Sequence, residues 1–416
     1  MKTKALRMYG VNDLRLEEFD LPEIKNDELL AKVVTDSICM SSYKAASLGP
    51  NHKRVPNDIA TNPIIIGHEM CGELVQIGEK YKDVYKVGDR FSMQTNLNHP
   101  SNPYAAPGYS FKYTGGTAQY IIIPREVLEM DCLLLYKGDS FFQGSLAEPM
   151  SCIIGAFHAM YHTTMGSYEH TMEIKKGGDL AILAGVGPMG LGAIEYAVTR
   201  DIKPGKIVVT DINQDRLNRA EEILSVDWAK EHGVELIYVN TSGVEDTVEY
   251  LKSFTDGKGF DDVFVFAPVK PVVEQGDRIL GQDGCLNFFA GPTDKNFSAN
   301  FNFYDVHYAS HHLVGTSGGN TEDMKECLAM VAENKLNPTT MVTHIGGLDS
   351  AAETTLNLPH IPGGKKLIYT GISMPLTAIS DFEEKGYTEL AKICQKNKGL
   401  WNKEAEDYLL KHATKI

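Results

Sequence analysis

Three side chains with complementary ligand chemistry stand in the N-terminal part of the chain: Cys39, the histidine of Gly67-His68-Glu69, and Glu148. A thiolate, an imidazole and a carboxylate together suit a d10 zinc ion, and three protein ligands leave a fourth position for water or a substrate. Their separations of 29 and 80 residues carry no signature of their own. Singly, each residue also fits a plain role. Cys39 fits as a small core hydrophobe, His68 as a hydrogen-bonded core imidazole, and Glu148 as a carboxylate beside Pro149 on a solvated turn.

A second group is contiguous. Gly185-Val186-Gly187-Pro188-Met189-Gly190 follows an apolar run and opens a helical pattern, the context in which G-x-G-x-x-G binds a dinucleotide. The glycines allow a tight turn, close approach of pyrophosphate and close helix–strand packing. The helix start, with Pro188 and Met189 in its first turn, offers free N–H groups to phosphate. Asp211 stands 21 positions after Gly190, where an acid accepts hydrogen bonds from ribose hydroxyls and repels a 2′-phosphate. That favours NAD(H), while Arg216 nearby can meet a 2′-phosphate and keeps NADP(H) open. The plain alternatives are a glycine turn without a ligand and Asp211 as a helix cap.

A third group is the cationic run His52-Lys53-Arg54, set in a chain with 40 Lys plus Arg against 55 Asp plus Glu and a formal charge of −15. Arg and Lys there can pair with a phosphate-bearing sugar; a solvated loop is the equal alternative. The acidic balance excludes a nucleic-acid partner. No apolar run approaches the ~20 residues of a membrane span, and the start of the chain lacks a secretory pattern. Seven cysteines, an odd number without close pairs, argue against a disulfide framework. The expectation is a cytoplasmic-type protein. His307, His311 and His312 lack metal-finger spacing and read as core or interface histidines, and Cys71 as an apolar filler.

The elements that must position these groups change character along the chain. From residue 1 to about 150, strand-like runs at 29–34, 64–66, 73–77, 90–93 and 119–123 alternate with Gly and Pro, predicting a barrel-like β region with long loops. A helix is predicted over 150–162. From about 178 the rhythm becomes strand–helix–strand, with strands at 180–184, 206–210, 235–239, 263–266, 285–289 and 313–315. Helices are predicted at 188–199, 215–224, 244–254, 272–280 and 321–332, so the fold class is α/β with a doubly wound sheet. A strand at 367–370 precedes a polar, helix-prone tail from 377 to 416.

Gly67-His68-Glu69-Met70-Cys71-Gly72, followed by Gly78, resembles the zinc signature of medium-chain alcohol dehydrogenases. Val87-Gly88-Asp89-Arg90, Gly115-Gly116-Thr117-Ala118-Gln119-Tyr120 and Glu148-Pro149-Met150 resemble the same superfamily in the same order, over nearly all of 1–371. The Glu-Pro pair is similar to the sorbitol and polyol-phosphate dehydrogenase branch. The stretch from Cys39 to Lys44, the long loop after it and the extended tail most resemble L-sorbose 1-phosphate reductases.

The resemblance implies a GroES-like catalytic domain, 1–152 and 316–416 with an extra helical tail at 372–416, and a Rossmann coenzyme domain at 153–315. It implies one catalytic zinc on Cys39, His68 and Glu148. Residues 91–120 hold no cysteine, so no structural zinc is expected. Ser41 takes the place of the family's proton-relay hydroxyl, and Lys44 replaces its usual histidine. Glu69 takes a secondary role beside the metal. The implied reaction is hydride transfer between nicotinamide and a sugar or sugar phosphate, in a homodimer or homotetramer joined through coenzyme-domain edge strands.

Overall fold

The computed structural model describes residues 1–416. The strand Leu29–Ile38 is the spine of the larger sheet, pairing antiparallel with Met70–Ile77, Tyr120–Ile123 and Lys365–Tyr369. Every residue of that spine except Lys32 is buried, as a strand covered on both faces requires. Leu29, Val33, Phe91, Ile121 and Ile123 join one apolar core, and Leu6, Ile38, Ile64, Tyr109 and Ile368 join another. A hairpin of Lys2–Gly10 and Asp13–Asp20 adds a small sheet with Ile64–Ile65. These elements belong to a first compact unit made of Met1–Pro149, Asn320–Glu333 and Val342–Ile416.

Met150–Gly319 and Asn334–Met341 make the second unit. Its six strands run parallel in the order Glu235–Asn240, Lys206–Asp211, Asp179–Leu183, Phe260–Val265, Leu280–Phe288, His312–Val314. Numbered along the chain this is 3-2-1-4-5-6, the doubly wound order whose strand ends open a crevice where the winding reverses. Within this unit the Glu195 carboxylate accepts from the Asn337 amide at 2.7 Å and the Thr340 hydroxyl at 3.1 Å, fixing the returning segment. Burial pushes that carboxyl up to about 8.

Two predicted elements differ. The helix predicted at 150–162 runs instead over Ala147–His158, and Tyr161–Thr163 forms a short hairpin with His170–Met172. The cause is tertiary: the His162 ring lies 2.9 Å from the Asp283 carbonyl and 3.1 Å from the Asp262 carboxylate, contacts that outweigh local helix preference. The tail, read as helix-prone from 377, begins with the short strand Thr377–Ala378. It carries two helices, Thr388–Gln395 and Lys403–His412. Gly386 at φ 83° and Gly399 at φ 70° break it, using the left-handed conformation that suits glycine. No helix is long and apolar enough to cross a membrane.

Candidate functional site

Asp36, near the end of the spine strand, is fully buried and builds the floor of the site. Its carboxylate accepts from the Thr117 hydroxyl at 2.6 Å and from the Glu69 amide at 3.1 Å. Burial pushes it up to about 7. Gly67 sits at φ 91°, and a side chain there would put Cβ 2.0 Å from Asp36 Oδ2. The glycine before His68 is therefore required by the approach of this acid, and the turn presents His68 and Glu69 in a fixed direction.

Cys39 stands immediately before the helix Met40–Leu48. Its sulfur, a His68 ring nitrogen and a Glu69 oxygen lie within 4.8 Å of one another. Glu69 Oε2 has no hydrogen-bond partner although it is fully buried, while Oε1 pairs with the Lys365 ammonium. An orphaned buried oxygen beside a thiol and an imidazole is the environment a divalent cation completes, and the donor set suits zinc. Burial raises the Cys39 thiol, with the Lys365 charge pulling the other way. Burial also lowers Lys365, but Glu69, Cys39 and Glu148 outweigh it and keep the ammonium protonated.

Glu148, in the first turn of Ala147–His158, is 6% exposed. It is not part of the trio but shares its charge environment: burial, helped by Glu69 and Cys39, pushes it up to about 7 against the opposing pull of His68 and Lys365. Two carboxylates, a thiol and one ammonium in a dry pocket leave excess negative charge, which again favours a bound cation.

Hydroxyls surround His68. Ser42 Oγ lies 3.2 Å from Nδ1 and Ser41 Oγ 3.2 Å from Nε2. The Tyr109 hydroxyl donates to Ser41 Oγ at 2.9 Å and lies 3.3 Å from Nε2. An Nε2 that gives its lone pair to a metal leaves Nδ1–H to donate to Ser42, which fixes the ring. Burial raises the Tyr109 phenol far above its ordinary range, so it stays a donor.

Tyr109 also joins this centre to the cationic loop. The His52 ring stacks on it at 5.7 Å, and the Arg54 guanidinium lies 5.6 Å from its centroid. Burial and the charges of Arg54, Lys53 and Lys44 lower the His52 pKa, leaving the imidazole neutral and the other three as the cations. Arg54 donates to Asn96 at 2.7 Å, and Lys53 lies 5.9 Å from the Tyr104 ring. Lys53 and Arg54 border a cleft of about 320 Å³ with Ser101, Asn102 and Ser110.

In the second unit, Gly187 precedes the helix Pro188–Thr199, whose first turn is free of acidic side chains. A Cβ on Gly190 would lie 2.1 Å from the Gly185 carbonyl, whereas at Gly187 the nearest atom is an Arg216 nitrogen at 3.5 Å. Gly190 thus serves packing and Gly187 leaves an open cradle, the division a pyrophosphate turn needs. Asp211 ends its strand 7% exposed, accepting through Oδ1 from the amides of Ile212 and Asn213. Its Oδ2 lies 4.0 Å from Arg216.

The structure brings Cys39, His68, Glu69 and Ser41 to one place, whereas sequence reasoning groups Cys39, His68 and Glu148 as the ligands and gives Glu69 a secondary role. That reasoning missed Asp36, Tyr109 and Lys365. The signal for Lys365 was available: two lysines open the otherwise apolar strand Lys365–Tyr369, and a buried ammonium requires a carboxylate.

Residues 25–131 match the alcohol dehydrogenase GroES-like domain, and residues 188–333 match the zinc-binding dehydrogenase family. The chain is 54% identical to mannitol-1-phosphate 5-dehydrogenase of Aliivibrio fischeri over 98% of its length and 97% of that protein. It is 50% identical to L-sorbose 1-phosphate reductase of Klebsiella pneumoniae over 100% of its length and 98% of that protein. In fold it resembles 2R,3R-butanediol dehydrogenase from Bacillus subtilis, with a TM-score of 0.70 at 23% identity over 88% of this chain and 99% of that one.

Proposed function

We propose that this chain, which belongs to the zinc-binding dehydrogenases of the medium-chain alcohol dehydrogenase superfamily, interconverts a ketose phosphate and a polyol phosphate with NAD(H). The observation that carries the phosphate half is Tyr109: one ring touches the candidate metal centre through its hydroxyl and the Arg54–His52 loop through its face. An otherwise acidic chain thereby concentrates Lys44, Lys53 and Arg54 near the reacting end of the site. The two relatives at 50% and 54% identity bear the names of enzymes of phosphorylated sugars, which supports the same reading. The favoured reaction is reduction of L-sorbose 1-phosphate to D-glucitol 6-phosphate.

Cys39 and His68 would hold the zinc with a carboxylate, Glu148 as the family resemblance implies, and Glu69 stands ready in second place with its Lys365 partner. When bound, zinc supplies Lewis-acid polarisation of the substrate oxygen, and the nicotinamide supplies or takes the hydride. Ser41 Oγ, already accepting from Tyr109, exchanges the proton at the substrate oxygen. Lys44, a cation beyond it on the same helix, anchors the anionic end of the substrate or, in the reduction direction, resupplies that proton. Arg54 and Lys53 bind phosphate as charge-assisted donors. Gly185, Gly187 and Gly190 admit the pyrophosphate at the start of the helix Pro188–Thr199. Asp211 accepts from the ribose, and Arg216 at its side sets how far a 2′-phosphate is tolerated.

The test compares kcat/KM of the zinc-loaded protein for L-sorbose 1-phosphate and L-sorbose with NADH, and for D-mannitol 1-phosphate and D-mannitol with NAD. A preference of about 100-fold or more for the phosphate esters is expected from two lost charge-assisted contacts. Equal values would leave a dehydrogenase of plain polyols.

A further inference from the structure

The tail beyond residue 371 carries a fully buried acid, Glu406, on the inward face of the helix Lys403–His412 beside Ala405 and Leu409. Its carboxylate makes three hydrogen bonds. Oε2 accepts from the Phe141 amide at 2.7 Å, and Oε1 accepts from the Phe142 amide at 2.9 Å and from the Tyr369 hydroxyl at 2.8 Å. Trp401, also in the tail, donates through Nε1 to that same tyrosine oxygen at 2.8 Å. Three donors converge on one side chain, and only a carboxylate accepts from all of them without presenting a donor of its own.

The three partners of Glu406 lie on two elements, which lead by separate routes to Glu69. Phe141 and Phe142 open the short helix Phe141–Ser145, whose last residue donates through Oγ to the Glu69 carbonyl. That helix is gripped on the way by Thr35, donating to the Phe141 carbonyl at 3.2 Å, and by Ser92, donating to the Gly144 carbonyl at 2.6 Å. It leads directly into the turn that carries Glu148. Tyr369 ends the strand Lys365–Tyr369, and the period of two places its side chain on the same face as Lys365, which pairs with the Glu69 carboxylate.

We propose that Glu406 is a positioning residue for the metal centre: by tying the start of the helix Phe141–Ser145 to Tyr369, the tail fixes Glu69 through both its carbonyl and its carboxylate. The tail is thus part of the catalytic unit's metal-holding frame. Burial pushes the Glu406 carboxyl up to about 7, consistent with a group retained for its geometry at some cost in desolvation. The inference rests on the reading of Cys39, His68 and a carboxylate as a zinc site. Zinc binding by the unaltered protein tests that reading separately.

The experiment measures zinc affinity by competition with a chromophoric chelator, together with the cobalt-substituted absorption spectrum, in the full chain and in Glu406→Ala, Glu406→Gln and Leu409→Ala. Leu409 is buried on the same helix but bonds to neither support, so its truncation reports loss of tail stability alone. Removing partners that orient metal ligands costs roughly 10–100-fold in affinity, and an indirect support should give about tenfold. Glu406→Ala should lose that affinity and shift the cobalt bands while Leu409→Ala, at a comparable fall in Tm, keeps both. If Glu406→Ala does not fold, Glu406→Gln, which turns one acceptor into a donor, carries the same comparison. Unchanged affinity and cobalt bands in the folded Glu406 variants would overturn the proposal, as would an equal loss in Leu409→Ala.

Discussion

The coenzyme turn of the second unit and the candidate metal centre of the first are built by opposite means. At Gly185–Gly190 the work is done by backbone and by the absence of side chains, over six consecutive residues just past a strand that is apolar from Leu180 to Leu183. At the candidate metal centre Cys39, the adjacent pair His68 and Glu69, Glu148 and Lys365 arrive from four separate segments. Each brings a polar or charged group into a pocket that strips away its water. The first kind of site fails by steric conflict, the second by unbalanced charge. The two therefore respond to different perturbations.

The largest effect is expected at the charged centre. Cys39→Ala or His68→Ala should abolish stoichiometric zinc and lower turnover by at least about a thousandfold, since the Lewis acid and its orientation are lost together. Metal analysis after dialysis, alongside steady-state rates, checks it; a His68→Ala protein that keeps both zinc and rate would remove this centre from the account.

The coenzyme turn separates two glycines. Gly190→Ala drives a Cβ to 2.1 Å from the Gly185 carbonyl, and the fold should lose about 3 kcal/mol or more because backbone must move. Gly187→Ala meets only a movable Arg216 nitrogen at 3.5 Å, so stability should stay within roughly 1 kcal/mol while NADH affinity falls about tenfold. Urea midpoints with NADH fluorescence titrations separate the two, and similar stability losses in both variants would break the distinction.

Glu195 gives the second unit a pH signature of its own. Its folded value of about 8 lies above the ordinary 4.5, so its contribution is fully present below pH 4.5 and is lost as pH rises through about 8. The slope of unfolding free energy approaches about 1 kcal/mol per pH unit in that window. Glu195→Gln should flatten it, read from denaturation midpoints at pH 6 and 8; an unchanged slope would assign the dependence elsewhere. The smallest effect expected is at Arg216: its replacement by Ala should shift the NADH-to-NADPH preference by roughly three- to tenfold toward NADH. Paired kcat/KM values decide it, and a shift toward NADPH would mean that Arg216 does not meet the 2′-phosphate.

The same contrast explains what could be read from the chain alone. The helix Pro188–Thr199 carries its glycine turn and proline start within a few residues, and Thr321–Ala332 follows an asparagine that forms a capping box with Asp323. Both were predicted to the residue, because local bonds decide them. The hairpin Lys2–Gly10 and Asp13–Asp20 was not recognised, since charged residues between Leu14 and Phe19 obscure its alternation. Tyr109 was invisible for another reason: its role depends on meeting Ser41, His68, His52 and Arg54, residues remote in sequence. Glu406 left a faint trace, an acid on the apolar face of an amphipathic helix.

The claim that one tyrosine-linked site serves both metal chemistry and phosphate recognition is tested most directly by Arg54→Ala. The quantity to measure is the ratio of kcat/KM for L-sorbose 1-phosphate to that for L-sorbose, in the zinc-loaded parent and the variant. The account predicts a high ratio in the parent that falls at least about tenfold in the variant, through KM for the phosphate ester, with the plain sugar unaffected. A ratio unchanged by the substitution would contradict it and detach the cationic loop from the substrate.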